Sequence, residues 1–167
     1  MKLEIDRPRL TEELDELGAI SQEPAPVVTR VVFTEADVEA RSYVKNLCAE
    51  AGLTVREDAA GNTFARWTGE DPSLPPVGTG SHIDAIPNAG RFDGTVGVLG
   101  GLEALRALKR AGFKPRRSLE LIIFTSEEPT RFGIGCLGSR LLSGVLDPGT
   151  ASTLKDRDSI KIGRAHV

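Results

Sequence analysis

The run Leu119-Glu-Leu-Ile-Ile-Phe-Thr125 decides how the rest of the chain is read. It is apolar and β-branched enough to form a central strand covered on both faces. Upstream, Val96 to Ala111 reads as a helix closed by Gly112, and Val77 to Ser81 as a short buried strand after the Pro-rich loop from Asp71 to Pro76. Further back, Leu53 to Arg56 and Thr63 to Trp67 are extended runs separated by a turn at Gly61 and Asn62, the pattern of a hairpin-like pair. Strands alternating with helices of this length predict an α/β layered domain with a mainly parallel central sheet flanked by helices.

The N-terminal third completes the layers. Thr34 followed by Asp37 is an acid variant of the capping box, and Ala40, Tyr43, Val44, Leu47, Cys48 and Ala51 then form one apolar stripe that stops at Gly52. Before it, Pro8 at a first helical turn and Leu10, Leu14 and Leu17 at helical spacing predict an amphipathic helix ending near Gly18.

With 167 residues, 40% of them hydrophobic, the chain can bury one sizeable core. Its net charge of -3 and dispersed Lys and Arg leave no basic stripe for nucleic acid, and no stretch of about 18 apolar residues suggests a membrane span. The charged opening, MKLEIDRPRLTEELDEL, is unlike a secretory signal and points to the cytosol. Cys48 and Cys136 fit no metal-binding spacing and read as small buried side chains.

Three short motifs carry chemistry. In Gly80-Ser-His-Ile-Asp84, His82 and Asp84 are two apart at a strand end, on one face, so a carboxylate could hold the imidazole tautomer that frees the other nitrogen for a metal. A strand-end turn with a satisfied histidine is the alternative. In Gly90-Arg-Phe-Asp-Gly94, Asp93 stands just before a helix, where it could cap the helix or bridge two cations, with Gly90 and Gly94 allowing close backbone approach. In Thr125-Ser-Glu-Glu-Pro-Thr-Arg-Phe132, Glu127 and Glu128 follow the most apolar strand, where α/β sheets concentrate function. Adjacent carboxylates at a buried edge repel unless a metal or proton neutralises one; otherwise they form a solvated acidic turn partly offset by Arg131.

The ordered set of these motifs, with Cys136-Leu-Gly-Ser-Arg140 after them, resembles the co-catalytic two-metal metallopeptidase superfamily in its amidohydrolase branch. That branch takes in N-carbamoyl-L-amino-acid hydrolases, allantoate amidohydrolases and ureidoglycolate amidohydrolases. The resemblance implies that His82 binds one metal, Asp93 bridges two and Glu128 binds the second, with Glu127 as general base and Asp84 orienting His82. It implies two divalent ions (manganese, zinc, nickel or cobalt), a small ureido or carbamoyl substrate, and a homodimeric full-length parent. An aminopeptidase or deacylase of the same superfamily is the alternative activity, and a non-catalytic fragment the alternative of another class.

Members of that superfamily have two further metal-binding histidines and an inserted lid domain downstream. Here the only other histidine is His166. It lies in Lys161-Ile-Gly-Arg-Ala-His-Val167, which resembles the translation of a common sequencing-adapter sequence. Residues 1–160 are therefore expected to be the front of a metallohydrolase catalytic domain, truncated before the lid, and 161–167 a foreign tail, with an ordinary polar C-terminus as the alternative.

Overall fold

A computed structural model of the chain describes residues 2–162. In order, its elements are α1 (Arg7–Ala19), β1 (Val28–Arg30), α2 (Glu35–Glu50), β2 (Thr54–Glu57), β3 (Thr63–Trp67), β4 (Val77–His82), β5 (Ala85–Ala89), α3 (Thr95–Arg110), β6 (Leu119–Phe124), α4 (Leu137–Leu142) and α5 (Pro148–Ala151).

The helices begin where side chains satisfy their free amides. Asp6 caps α1 by accepting from Arg9 N at 3.2 Å. Thr34 caps α2, and the Asp37 carboxylate reaches back to Phe33 N at 2.8 Å while pairing with Arg41. α3 starts at Gly94 with no side-chain cap, so Asp93 does not spend its carboxylate on the helix.

Four strands form one sheet in the order β2-β3-β6-β4. β2 pairs antiparallel with β3, and β3 antiparallel with β6; β4 alone runs parallel to β6. The layered α/β architecture matches the sequence, but the sheet is mixed rather than mainly parallel. The hairpin explains the difference: its short turn forces β3 to return antiparallel, and β3 then lies against β6. A separate two-stranded antiparallel sheet joins β1 to β5.

α2 and α3 cover one sheet face. Ala40, Val44 and Cys48 from α2 and Val98, Leu99, Leu102 and Leu105 from α3 pack with Ala65, Leu121 and Ile123, and Leu17 of α1 joins the same core. The other face is more polar than the expected two-sided burial of residues 119–125. There Arg66 pairs with Glu120 at 2.8 Å, Arg56 stacks on Phe64, and Ile122 and Phe124 are only half-buried. β4 likewise departs from a buried strand: it is the sheet edge, and only its end, at Ser81 and His82, is covered. Leu137, Leu146 and Ala151 form a smaller cluster with Ile162 packed against it. Lys161 bridges Lys155, so the first two residues of the suspected tail join the fold; His166 lies outside the described residues.

Candidate metal centre

The single parallel pairing builds the site. β4 and β6 run side by side with His82 opposite Phe124, so both strands end at one sheet edge. His82 is the last residue of β4, Glu127 and Glu128 lie just past the end of β6, and Asp93 precedes α3 at the same edge. His82, Asp93 and Glu128 each present a ligand atom within 4.8 Å of the others. His82 Nε2 stands 3.8 Å from Asp93 Oδ1 and 3.6 Å from Glu127 Oε2.

Close approach at this edge depends on Gly94. A Cβ there would lie 2.6 Å from His82 Cε1 and Nε2, and the backbone sits at φ 67°, where glycine alone is unstrained. Gly90 is different, since a Cβ there would meet nothing within 4 Å.

Asp84 is the hub, in a manner the two-residue spacing does not reveal. His82 Nδ1 is 2.9 Å from the backbone carbonyl of Asp84, whereas the Asp84 carboxylate is 3.6 Å from that nitrogen. The carboxylate instead accepts the backbone N–H of Glu127 at 3.2 Å and of Glu128 at 3.0 Å. Thus Nδ1 carries the proton that the carbonyl accepts, and Nε2 is left facing the acids.

The surrounding frame comes mostly from residues without a predicted site role. Arg30, 0% exposed, donates through Nε to the carbonyl of Ile83, between His82 and Asp84, and through Nη1 to the carbonyls of Leu17 and Ile20. Burial pushes its guanidinium below the ordinary arginine value. Asn62, also fully buried, accepts from Thr125 N and donates to the Gly138 carbonyl, anchoring the chain just before the glutamates. Cys136, Leu137 and Gly138 donate their N–H groups to the carbonyls of Glu127, Ser126 and Thr125 at 2.7–2.9 Å. Cys136 is not the small buried side chain expected: it is partly exposed, with Sγ 3.3 Å from Glu127 Oε1. Arg131 does not offset the glutamates; it pairs with Asp156 and donates to the Val32 and Phe33 carbonyls.

The electrostatics are lopsided. Among the described residues no lysine or arginine forms an ion pair with Asp84, Asp93, Glu127 or Glu128; His82 lies within 4 Å of the first three. Burial alone would lower the His82 pKa, but Asp84 and then Glu127 overcome it and raise it to about 9. Burial, then the Glu127 charge, push the Glu128 carboxyl above the usual range. One imidazole nitrogen and several carboxylate oxygens converging without a resident counter-cation suit a divalent metal of borderline hardness.

Residues 78–161 match the profile of peptidase family M20/M25/M40, and the chain belongs to that family. Enzymes of this family bind metal ions. The chain is 66% identical over 142 residues to a ureidoglycolate hydrolase of Arabidopsis thaliana, covering 85% of this chain and 30% of that protein. It is 40% identical over 157 residues to an N-carbamoyl-L-amino acid amidohydrolase of Geobacillus stearothermophilus, covering 94% of this chain and 38% of the relative. The crystal structure of AtUAH in complex with glyoxylate superposes with a TM-score of 0.94 at 57% identity, over 98% of this chain and 39% of that one. The chain therefore spans about a third of the length of the curated relatives it matches.

Proposed function

We propose that the protein to which this chain belongs is a metal-dependent hydrolase of a non-peptide C–N bond in a carbamoyl or ureido compound, such as ureidoglycolate, allantoate or an N-carbamoyl amino acid. The observation that carries the reading is the set of carboxylates converging on His82, to which no arginine or lysine among the described residues is paired. The names of the similar hydrolases supply the substrate class.

In this reading His82, Asp93 and Glu128 would hold the metal ions, with Asp93 as the ligand that could serve both. Two divalent cations (manganese, zinc, nickel or cobalt) would supply Lewis-acid charge and acidify water. Glu127 Oε2, beside His82, takes a proton from the attacking water and returns it to the leaving nitrogen. Asp84 keeps both glutamates in place through their amides. A cytosolic homodimer is the accompanying expectation for the full-length protein, which would supply the remaining ligands.

Ammonia release tests this. The chain continued by its native downstream sequence and loaded with manganese or zinc should turn over at least one of ureidoglycolate, allantoate and a panel of N-carbamoyl amino acids. The 167-residue chain should turn over none, because it spans only about a third of the length of the hydrolases it resembles, and catalysis of this kind depends on a complete, preorganised site. No ammonia from any substrate with the metal-loaded long form would sink the reading. Equal turnover by the short form would remove the need for the downstream part.

A further inference from the structure

Glu127 has two carboxylate oxygens with different surroundings. Oε2 faces His82 Nε2 at 3.6 Å, and Oε1 lies 3.3 Å from Cys136 Sγ. The same cysteine donates its backbone N–H to the Glu127 carbonyl at 2.7 Å, so main chain and side chain of Cys136 grip main chain and side chain of Glu127. We infer that Cys136 is a positioning residue for Glu127, its thiol donating to Oε1 so that Oε2 is presented toward the metal-binding edge. The inference rests on the proposed role of Glu127 as the base.

The backbone supports a side-chain role. Cys136 has φ 55° and ψ 34°, left-handed values that are strained for a non-glycine residue. A glycine would relax there. Ser126, whose carbonyl accepts from Leu137 N, is left-handed too, with φ 50°. Two strained non-glycine residues therefore flank the base in space, and one of them aims its side chain at the base. A thiol is a weak donor that desolvates cheaply, so it can steer a carboxylate without pairing a full charge to it. It also stays protonated, since the Glu127 contact and burial hold the thiol above its ordinary range.

The test uses the full-length protein with its metals bound, comparing wild type with Cys136→Ala, Cys136→Gly and Cys136→Ser. The alanine and glycine variants should lose roughly tenfold in kcat, with KM and metal content unchanged. Serine, still a donor, should recover most of that loss. Cys136→Gly separates positioning from packing, because relief of the left-handed strain should leave the melting temperature equal or higher while turnover falls. Wild-type kcat in both Cys136→Ala and Cys136→Gly would overturn the inference, and so would failure of serine to recover either.

A second measurement does not depend on turnover. Alkylation of Cys136 by iodoacetamide, followed by peptide mass spectrometry, should show a lower pH midpoint in Glu127→Gln than in wild type. An unchanged midpoint would overturn the contact. Should the wild-type protein turn over no ureido substrate, the proposed function fails while this measurement still decides the contact.

Discussion

Two sets of acids in this domain are handled in opposite ways. Away from the strand-end edge, Glu13 pairs with Arg106 at 2.7 Å, Asp37 with Arg41 at 3.0 Å, Glu120 with Arg66 at 2.8 Å, and Glu103 with both Arg9 and Arg110. At the edge, among the described residues, Asp93 and Glu127 have His82 as their one ion-pair partner, Glu128 has none, and the Asp84 carboxylate accepts two backbone amides. The consequence is visible in single carboxyls. Burial works against the charge of Glu103, yet the Asp6 amide, Arg110 and Arg9 hold it below the usual range, while burial and Glu127 hold Glu128 above it. A carboxylate that only carries structure is neutralised within the chain; one that, as proposed, is kept for an exchangeable cation is left short of positive charge.

Breaking the edge should cost activity and leave the fold. In the full-length protein, Glu127→Gln is expected to retain metal and lose about 10²–10⁴-fold in kcat, whereas Glu128→Gln should lose metal as well, both read by steady-state kinetics beside metal analysis. Equal metal loss in the two variants would show that the roles are misassigned. Breaking the other set should do the reverse. Glu13→Ala leaves Arg106 buried without its partner, so urea denaturation should report a loss of about 3–5 kcal/mol, while manganese affinity of the surviving folded protein stays unchanged.

Acidity sharpens the contrast further. In the metal-free chain His82 has its pKa raised from 6.5 to about 9, so its charged form stabilises the fold fully below pH 6.5. That contribution is lost as pH rises through 9. Metal requires the neutral imidazole, so affinity should rise with pH over the same interval and binding should release protons. Melting curves with and without zinc between pH 6 and 9.5 would check both slopes; a metal-free stability that rises across that window contradicts the assignment.

The smallest effect is expected at the tail. Removing residues 163–167, which have no apolar periodicity, should leave the melting temperature unchanged. Removing Ile162 as well should lower it slightly, because that side chain packs against the Leu137 cluster. Loss of several degrees from the shorter deletion would show that those five residues belong to the fold.

Elements with a strong period were legible from residues alone. The α2 stripe, α3 and the β2–β3 hairpin fall within one or two residues of their expected bounds, and β6 is a sheet-interior strand. β1 and β5 were not legible: one has three residues and the other contains Pro87 and Asn88, so neither has a run long enough to alternate. Strand direction was also hidden, since pairing between β3 and β6 joins segments more than fifty residues apart. At the edge, contiguous motifs named the side chains the fold brings together. The site roles of Arg30 and Asn62 were not legible because each acts on carbonyls or amides, which every residue offers, and that of Cys136 because it reaches Glu127 through a short turn rather than a repeating pattern.

Asp84 offers three acceptors to three different donors: its carbonyl to the imidazole, and one carboxylate oxygen to each of two successive amides. This makes the position indivisible under substitution. Asparagine would turn an –NH2 toward an N–H that needs an acceptor, alanine would leave two amides orphaned in a place 2% exposed to solvent, and glutamate, one methylene longer, would shift its carboxylate out of register with both amides. Whatever drift the surrounding loops undergo, a replacement at residue 84 has to be answered at the histidine and at both glutamates together, so change there is expected to arrive as a concerted set or not at all.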